Sequence, residues 1–256
     1  MIKNAITYET SGRLGNQLQL YACARTLSLR YDWDFIYQPL VHEKELNLYD
    51  RYGQKISDLL RNYFRKKVVL DHHEWDTTFN INGAMENSYL EKQNTLYILK
   101  WGGIFKDLSE FRNSLIKEII PEQFLNIETT FPKNHIAVHV RRDDSDYPLP
   151  IQYYVDAVNI TRRKANNINL HLFSDGDRNA ISSQLSEKLR DVRITIHKNT
   201  AVRDMINMSN FQTIIISMSW FSYWAAFLSN NAKVLAPDDF CYYPHWESVN
   251  SGSATS

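Results

Sequence analysis

The sequence predicts an α/β protein built on parallel sheets with helices covering both faces. Three observations lead there. Strand-like apolar runs alternate with helical stretches through the second half of the chain, the turns between them are short, and several strand ends run directly into helix-opening segments. Successive parallel strands require crossover connections, and this alternation supplies them.

In the first half, Ile2–Tyr8 reads as a strand, and a glycine-containing loop then leads into a helix from Asn16 to Arg30. Asp34–Gln38 and Lys67–Leu70 are further strand candidates. Leu108–Ile120 is an amphipathic helix, with Leu108, Phe111, Leu115 and Ile119 at helical spacing. Pro121 and Pro132 punctuate the next stretch, which places a domain boundary near residue 132. Beyond it, strands are expected at Ile136–Val140, Leu170–Ser174, Val192–His197, Thr213–Ser217 and Lys233–Ala236. Helices are expected at Ile151–Ala165, Asn179–Arg190, Ala201–Met208 and Trp220–Leu228. The expected organisation is an N-terminal domain over residues 1–132, a C-terminal domain over 133–247, and a small, polar, disordered tail over 248–256.

Composition narrows the function. The 256 residues suffice for one large domain or two smaller ones, and 43% hydrophobic residues are enough to fill their cores. Lys+Arg and Asp+Glu are both 29, a formal net charge of +0. A nucleic-acid partner calls for a basic surplus, so none is expected, and an anionic ligand must be met by a local cluster. Cys23 and Cys241 make no metal-ligand spacing, and Cys23 reads as a small core residue. Met1–Glu9 contains no apolar signal core, and no run approaches the ~20 apolar residues that span a bilayer. The longest, Thr213–Leu228, is interrupted by Ser217, Ser219 and Ser222. A cytoplasmic protein is expected, with at most a peripheral association at the inner face of the membrane.

The chemistry-bearing residues sit at strand ends. His139-Val140-Arg141-Arg142-Asp143-Asp144 closes an apolar strand, at the edge where open α/β sheets bind ligands. Paired guanidinium groups there suit a diphosphate. Side chains alternate along a strand, so Arg141 shares a side with His139 and takes the ligand. Arg142 points the other way and anchors the motif through an internal carboxylate. His139 could hydrogen-bond a base or a phosphate, or be a satisfied core histidine. Asp175, at the end of the next strand, could read a ribose or a guanine edge. The Asp175–Asp177 pattern is matched equally by Asp32–Asp34 and Asp144–Asp146, so it is no convincing metal site, and turn chemistry explains it as well. Ser219 reads as the N-cap of a helix whose first amides form an anion cradle through Phe221 and Ser222. Gly12, Arg13, Gly15, Asn16 and Gln17 open the first helix in the same way, without matching the dinucleotide or P-loop patterns.

Together these segments resemble the GDP-fucose-dependent α-1,2-fucosyltransferases of glycosyltransferase family 11. The family's Gly-Arg-Leu-Gly-Asn-Gln and Tyr-Ala-x-Ala patterns are matched by Gly12–Gln17 and Tyr21–Ala24. Its His-x-Arg-Arg-Gly-Asp, Phe-Ser-Asp-Asp and serine-rich helix motifs correspond to His139–Asp144, Phe173–Gly176 and Met218–Ala226. Asp143 stands where the family has glycine, Ser145 where it has tyrosine, Met218 where it has serine, and Tyr223 where it has tryptophan.

The resemblance implies a GT-B-like fold, two Rossmann-like halves with parallel sheets and a central donor cleft. It implies inverting, metal-independent transfer of L-fucose from GDP-β-L-fucose to a hydroxyl of a glycan acceptor, O2 of a galactoside. The partners are then a GDP-sugar donor and an oligosaccharide or lipid-linked glycan, with no cofactor. By the same resemblance Arg141 binds the leaving diphosphate, and His139 and Asp175 hold the guanine or ribose. Gly12–Gln17 and Ser219–Ser222 close around the phosphates. Inversion also calls for a base to receive the acceptor hydroxyl's proton, and Asp144 and Asp146 lie near the right edge; Asp144 could equally fix Arg142, and late proton loss to solvent stays open. Transfer of another GDP-linked sugar and a non-catalytic nucleotide- or glycan-binding module are the alternatives.

Overall fold

A computed structural model describes residues 3–48, 66–71, 94–101, 108–125, 131–143, 145, 148–162, 167–240 and 242–252. The chain divides into two compact units, Met1–Asn126 and Ile127–Ser256, six residues before the boundary read from the prolines.

In the first unit, β1 (Ala5–Tyr8), β2 (Asp34–Phe35), β3 (Lys66–Leu70) and β4 (Thr95–Leu99) form a parallel sheet in the order β2-β1-β4-β3. β4 is absent from the expected strands, yet it is a central one, pairing with β1 and β3. Its run Thr95-Leu96-Tyr97-Ile98-Leu99 is aromatic and aliphatic, the composition of a strand buried on both faces. The long helix α1 (Leu14–Tyr31) packs on β1 and β2. Tyr8, Tyr21 and Phe35 interlock there, and Trp33 stacks on Tyr97 with ring centroids 4.3 Å apart. Helix α2 (Arg112–Ile119) begins only after a 3-10 turn at Ser109–Phe111, later than its apolar spacing suggests. It is tied to α1 by buried Glu118, which accepts from Arg25 and from the Tyr21 hydroxyl. Cys23 is fully buried in α1, as its setting implied.

The second unit is a six-stranded parallel sheet. Its strands are β5 (His135–Val140), β6 (Asn169–Ser174), β7 (Arg193–Ile196), β8 (Thr213–Ile215), β9 (Lys233–Pro237) and β10 (Glu247–Val249), in the order β10-β9-β8-β5-β6-β7. Numbered from its own first strand, this is the 3-2-1-4-5-6 order of doubly wound folds, which reverses between β5 and β8. Helices α3 (Ile151–Arg162) and α4 (Arg178–Lys188) join the first three strands, and α5 (Ala201–Ser209) and α6 (Trp220–Leu228) join the rest. Ile136, Val138 and Val140 of β5 bury one face in a core with Tyr154, Val158 and Leu185. β10 corrects the expected tail: Ser248 and Val249 are paired to β9, and Ser251 is buried. Apolar Val249 packs into the core, an anchor that the polar composition of the segment concealed. Among the described residues, no helix is long and apolar enough to cross a membrane.

Candidate active site

The reversal of strand order between β5 and β8 leaves an opening at the carboxyl edge of the second sheet, because successive crossovers depart to opposite sides. Arg141 and Arg142 come directly after β5, Asp175 comes after β6, and Ser217 to Ser222 lead from β8 into α6. Sequence-distant groups thus meet where one strand edge and one helix start adjoin.

Asp175 is the hub. Its Oδ2 lies 2.7 Å from Arg141 Nη1, with the two side chains only 20% (Arg141) and 16% (Asp175) exposed. Its Oδ1 accepts the Arg142 backbone N–H at 2.9 Å. Burial opposes the charge on Asp175, yet the Arg142 amide and the Arg141 guanidinium outweigh it and hold the carboxyl below its ordinary value. The carboxylate is therefore ionised at neutral pH and fixes the guanidinium in place. Each of its oxygens thus has a partner in the arginine pair.

Arg142 turns the opposite way, as strand alternation requires. Its Nη1 donates to the carbonyls of Arg141 (3.1 Å) and Leu149 (2.8 Å), and its guanidinium lies over the Tyr154 ring at 5.9 Å. Among the described residues, its partners are thus main-chain carbonyls and an aromatic face. Gly176 makes room for it, since a Cβ there would come within 2.7 Å of Arg142 Cβ. Asp144, the candidate base, and Asp146 lie outside the described residues. Asp143 is exposed in the turn after Arg142, so the extra carboxylate does not displace Asp175 from Arg141.

His139 is 3% exposed, between β8 and α6. Its Nδ1 is 2.7 Å from Ser217 Oγ, and its ring lies 5.0 Å from that of Phe221. Burial, with Arg141 adding to it and Asp175 opposing, pushes the imidazole down to about 4, so it is neutral at pH 7. Nothing local in the sequence singles out Ser217; only the β5–β8 pairing brings its hydroxyl to the His139 ring. Ser219 caps α6 as expected, accepting the Phe221 N–H at 3.2 Å. Ser222 is fully buried, and its Oγ accepts the Ser217 N–H while facing the carbonyls of Ser217 and Ser219. It therefore locks the turn from inside and presents no hydroxyl at the surface. Tyr223, in place of the family's tryptophan, is buried with its hydroxyl 2.9 Å from that of Tyr243.

The other half of the Asp-x-Asp pattern is also accounted for: Asp177 caps α4, accepting from the amides of Asn179 and Ala180. No group of metal-ligating side chains occurs among the described residues.

The glycine loop belongs to the first unit. Gly12 has φ of 69°, and a Cβ on it would lie 2.4 Å from Asn16 Nδ2, so only glycine fits. Arg13 is exposed at the N-cap of α1 and makes no side-chain cap bond, which leaves the first-turn amides to be met by another acceptor. Gly15 is buried, Asn16 half-buried. Gln17 is structural: its amide donates to the Gly12 carbonyl and accepts from the Val41 N–H, both at 2.8 Å.

Comparison with known proteins agrees with this geometry. Residues 4–240 match the family described as glycosyl transferase family 11. A relative named alpha-1,2-colitosyltransferase, from Escherichia coli, is 31% identical over 110 residues, covering 38% of this chain and 37% of that protein. Among solved structures, a mutant of Arabidopsis thaliana FUT1 in complex with GDP shares the fold at TM-score 0.56 and 13% identity, covering 94% of this chain and 72% of the other. POFUT1 in complex with GDP does so at 0.57 and 13%, covering 90% and 95%. NodZ alpha-1,6-fucosyltransferase soaked with GDP-fucose shares it at 0.52 and 16%, covering 93% and 96%. The fold is thus of the α/β, GT-B-like type seen in fucosyltransferases, and the chain belongs to glycosyl transferase family 11.

Proposed function

We propose that this protein transfers L-fucose from GDP-β-L-fucose to a hydroxyl of a glycan acceptor, O2 of a galactoside, with inversion at the anomeric carbon and without a metal ion. The observation that carries the reading is the Arg141–Asp175 pair at the point where strand order reverses. Breaking a sugar–diphosphate bond places negative charge on the departing GDP, and a preorganised cationic donor stabilises that charge as it develops. Arg141 is such a donor, already oriented, so little reorganisation is needed at the moment of reaction. The α6 amides behind Ser219 add hydrogen-bond donors for phosphate oxygens. Neutral His139, held against the Ser217 hydroxyl, adds shape and no charge. Asp144 is the proposed recipient of the acceptor hydroxyl's proton, a role that rests on its place in the motif.

A second reading, transfer of a different GDP-linked sugar, is favoured by the relative named as a colitosyltransferase. One assay separates the two: GDP release from GDP-fucose, with and without a panel of galactosides, in the presence of EDTA. Acceptor-stimulated release in EDTA is the expected result. GDP binding without release from GDP-fucose points to another sugar. Activity lost in EDTA and restored only by Mg²⁺ or Mn²⁺ overturns the arginine mechanism.

A further inference from the structure

Three histidines stand in a row across the second sheet, on the face opposite the Ile136–Val138–Val140 core. His135 Nδ1 lies 2.9 Å from His171 Nε2, and His171 Nδ1 lies 2.8 Å from His197 Nε2. The row begins at Asn169, whose Nδ2 is 3.2 Å from His135 Nε2. If that amide donates, each ring must carry its proton on Nδ1 and accept on Nε2, so one polarity runs through all three. Each ring gives one nitrogen to one neighbour and the other to the next, so no three nitrogens converge on a point, and the arrangement is no metal centre.

The surroundings isolate the row. Phe131 and Phe211 stack 3.9 Å apart beside His171, which is buried, and Phe173 stacks on His197 at 4.2 Å. The charged groups are few: Asp204 of α5, held by Asn199 at 2.8 Å, acts on His197, and Arg193 of β7 shares the strand face but is exposed. His139 lies further along β5 on the same face.

We propose that this imidazole ladder is an acid-sensitive latch on the β6–β7 edge of the second unit. An added proton turns an N–H···N contact into two opposed donors, and two neighbouring imidazolium ions repel. Burial first, then His197 and His135, push His171 down to about 4, and burial lowers His197 against the pull of Asp204. An unfolded histidine titrates near 6.5, so below that pH the unfolded chain binds protons that the ladder refuses. The ladder's contribution is complete above about 6.5 and is lost as pH falls toward about 4.

Hydrogen exchange on the full chain at pH 7.5 and pH 5.0, corrected for intrinsic rates, tests this. Amides of β6 and β7 should lose roughly tenfold protection in the wild type. His171→Gln, which does not titrate, should lose clearly less. His139 shifts in the same direction but is present in both proteins, so it cancels in the comparison. Equal losses overturn the latch. Imidazole ¹⁵N shifts of the wild type provide a second test that needs no variant: Nδ1–H tautomers with His171 titrating far below 6.5 are expected, and ordinary titration near 6.5 overturns it.

Discussion

The first unit brings backbone to its strand–helix turn, whereas the second brings side chains that are already paired. Around Gly12 the site-forming atoms are amides at an uncapped helix start, and the side chain that shapes them, Gln17, is spent on the loop itself. Around Arg141 each functional group has an internal partner: guanidinium with Asp175, imidazole with Ser217, helix start with Ser219. Backbone N–H groups donate to whichever oxygen arrives, while a guanidinium fixed by a carboxylate meets charge at one place. On this account the side chains of the second unit set the chemistry.

That contrast can be broken in graded steps. The largest effect is expected for Arg141→Ala, which removes the donor aimed at the departing diphosphate. The turnover number should fall about 10²–10³-fold in GDP-release kinetics, and Arg141→Lys should not rescue it, because an ammonium cannot make the forked contact. Activity retained in Arg141→Ala but lost in Arg142→Ala would reverse the assignment of the two arginines. Asp175→Asn comes next. It keeps an acceptor for the Arg142 amide but loosens the guanidinium, and a fall of roughly 10- to 100-fold in turnover is expected from mispositioning alone. An unchanged rate would show that Arg141 needs no partner. The smallest effect is in the first unit. Gly12→Ala forces a Cβ against Asn16 at positive φ, and thermal denaturation should show a loss of about 1–2 kcal/mol. A turnover collapse larger than that of Asp175→Asn would mean that the glycine loop, not the arginine edge, dominates.

The parts of this arrangement legible in the sequence share one property: their signals are local. β5, β6 and β8 are apolar runs bounded by turns, Ser219 reads as an N-cap, and the opposed directions of Arg141 and Arg142 arise from strand alternation. What escapes the sequence depends on register between distant segments. Ser217 meets His139 because β8 is paired beside β5, 78 residues away in sequence. The Leu149 carbonyl reaches Arg142 through a loop without periodicity. Nothing local says that the Asp175 oxygens bind the neighbouring Arg141–Arg142 motif. The histidine ladder exists only through the β5–β6–β7 register, and each histidine alone is ordinary. β10 escapes for another reason, being three residues in a polar segment; β4 carries a local apolar signal, and only its central place between β1 and β3 is a long-range fact.

The account rests most heavily on Arg141 holding the diphosphate, and a calorimetric titration of GDP into the wild type and Arg141→Ala, both in EDTA, tests this most directly. Losing one charge-assisted contact should weaken GDP binding by about 10- to 100-fold. Equal affinity in the two proteins would contradict it.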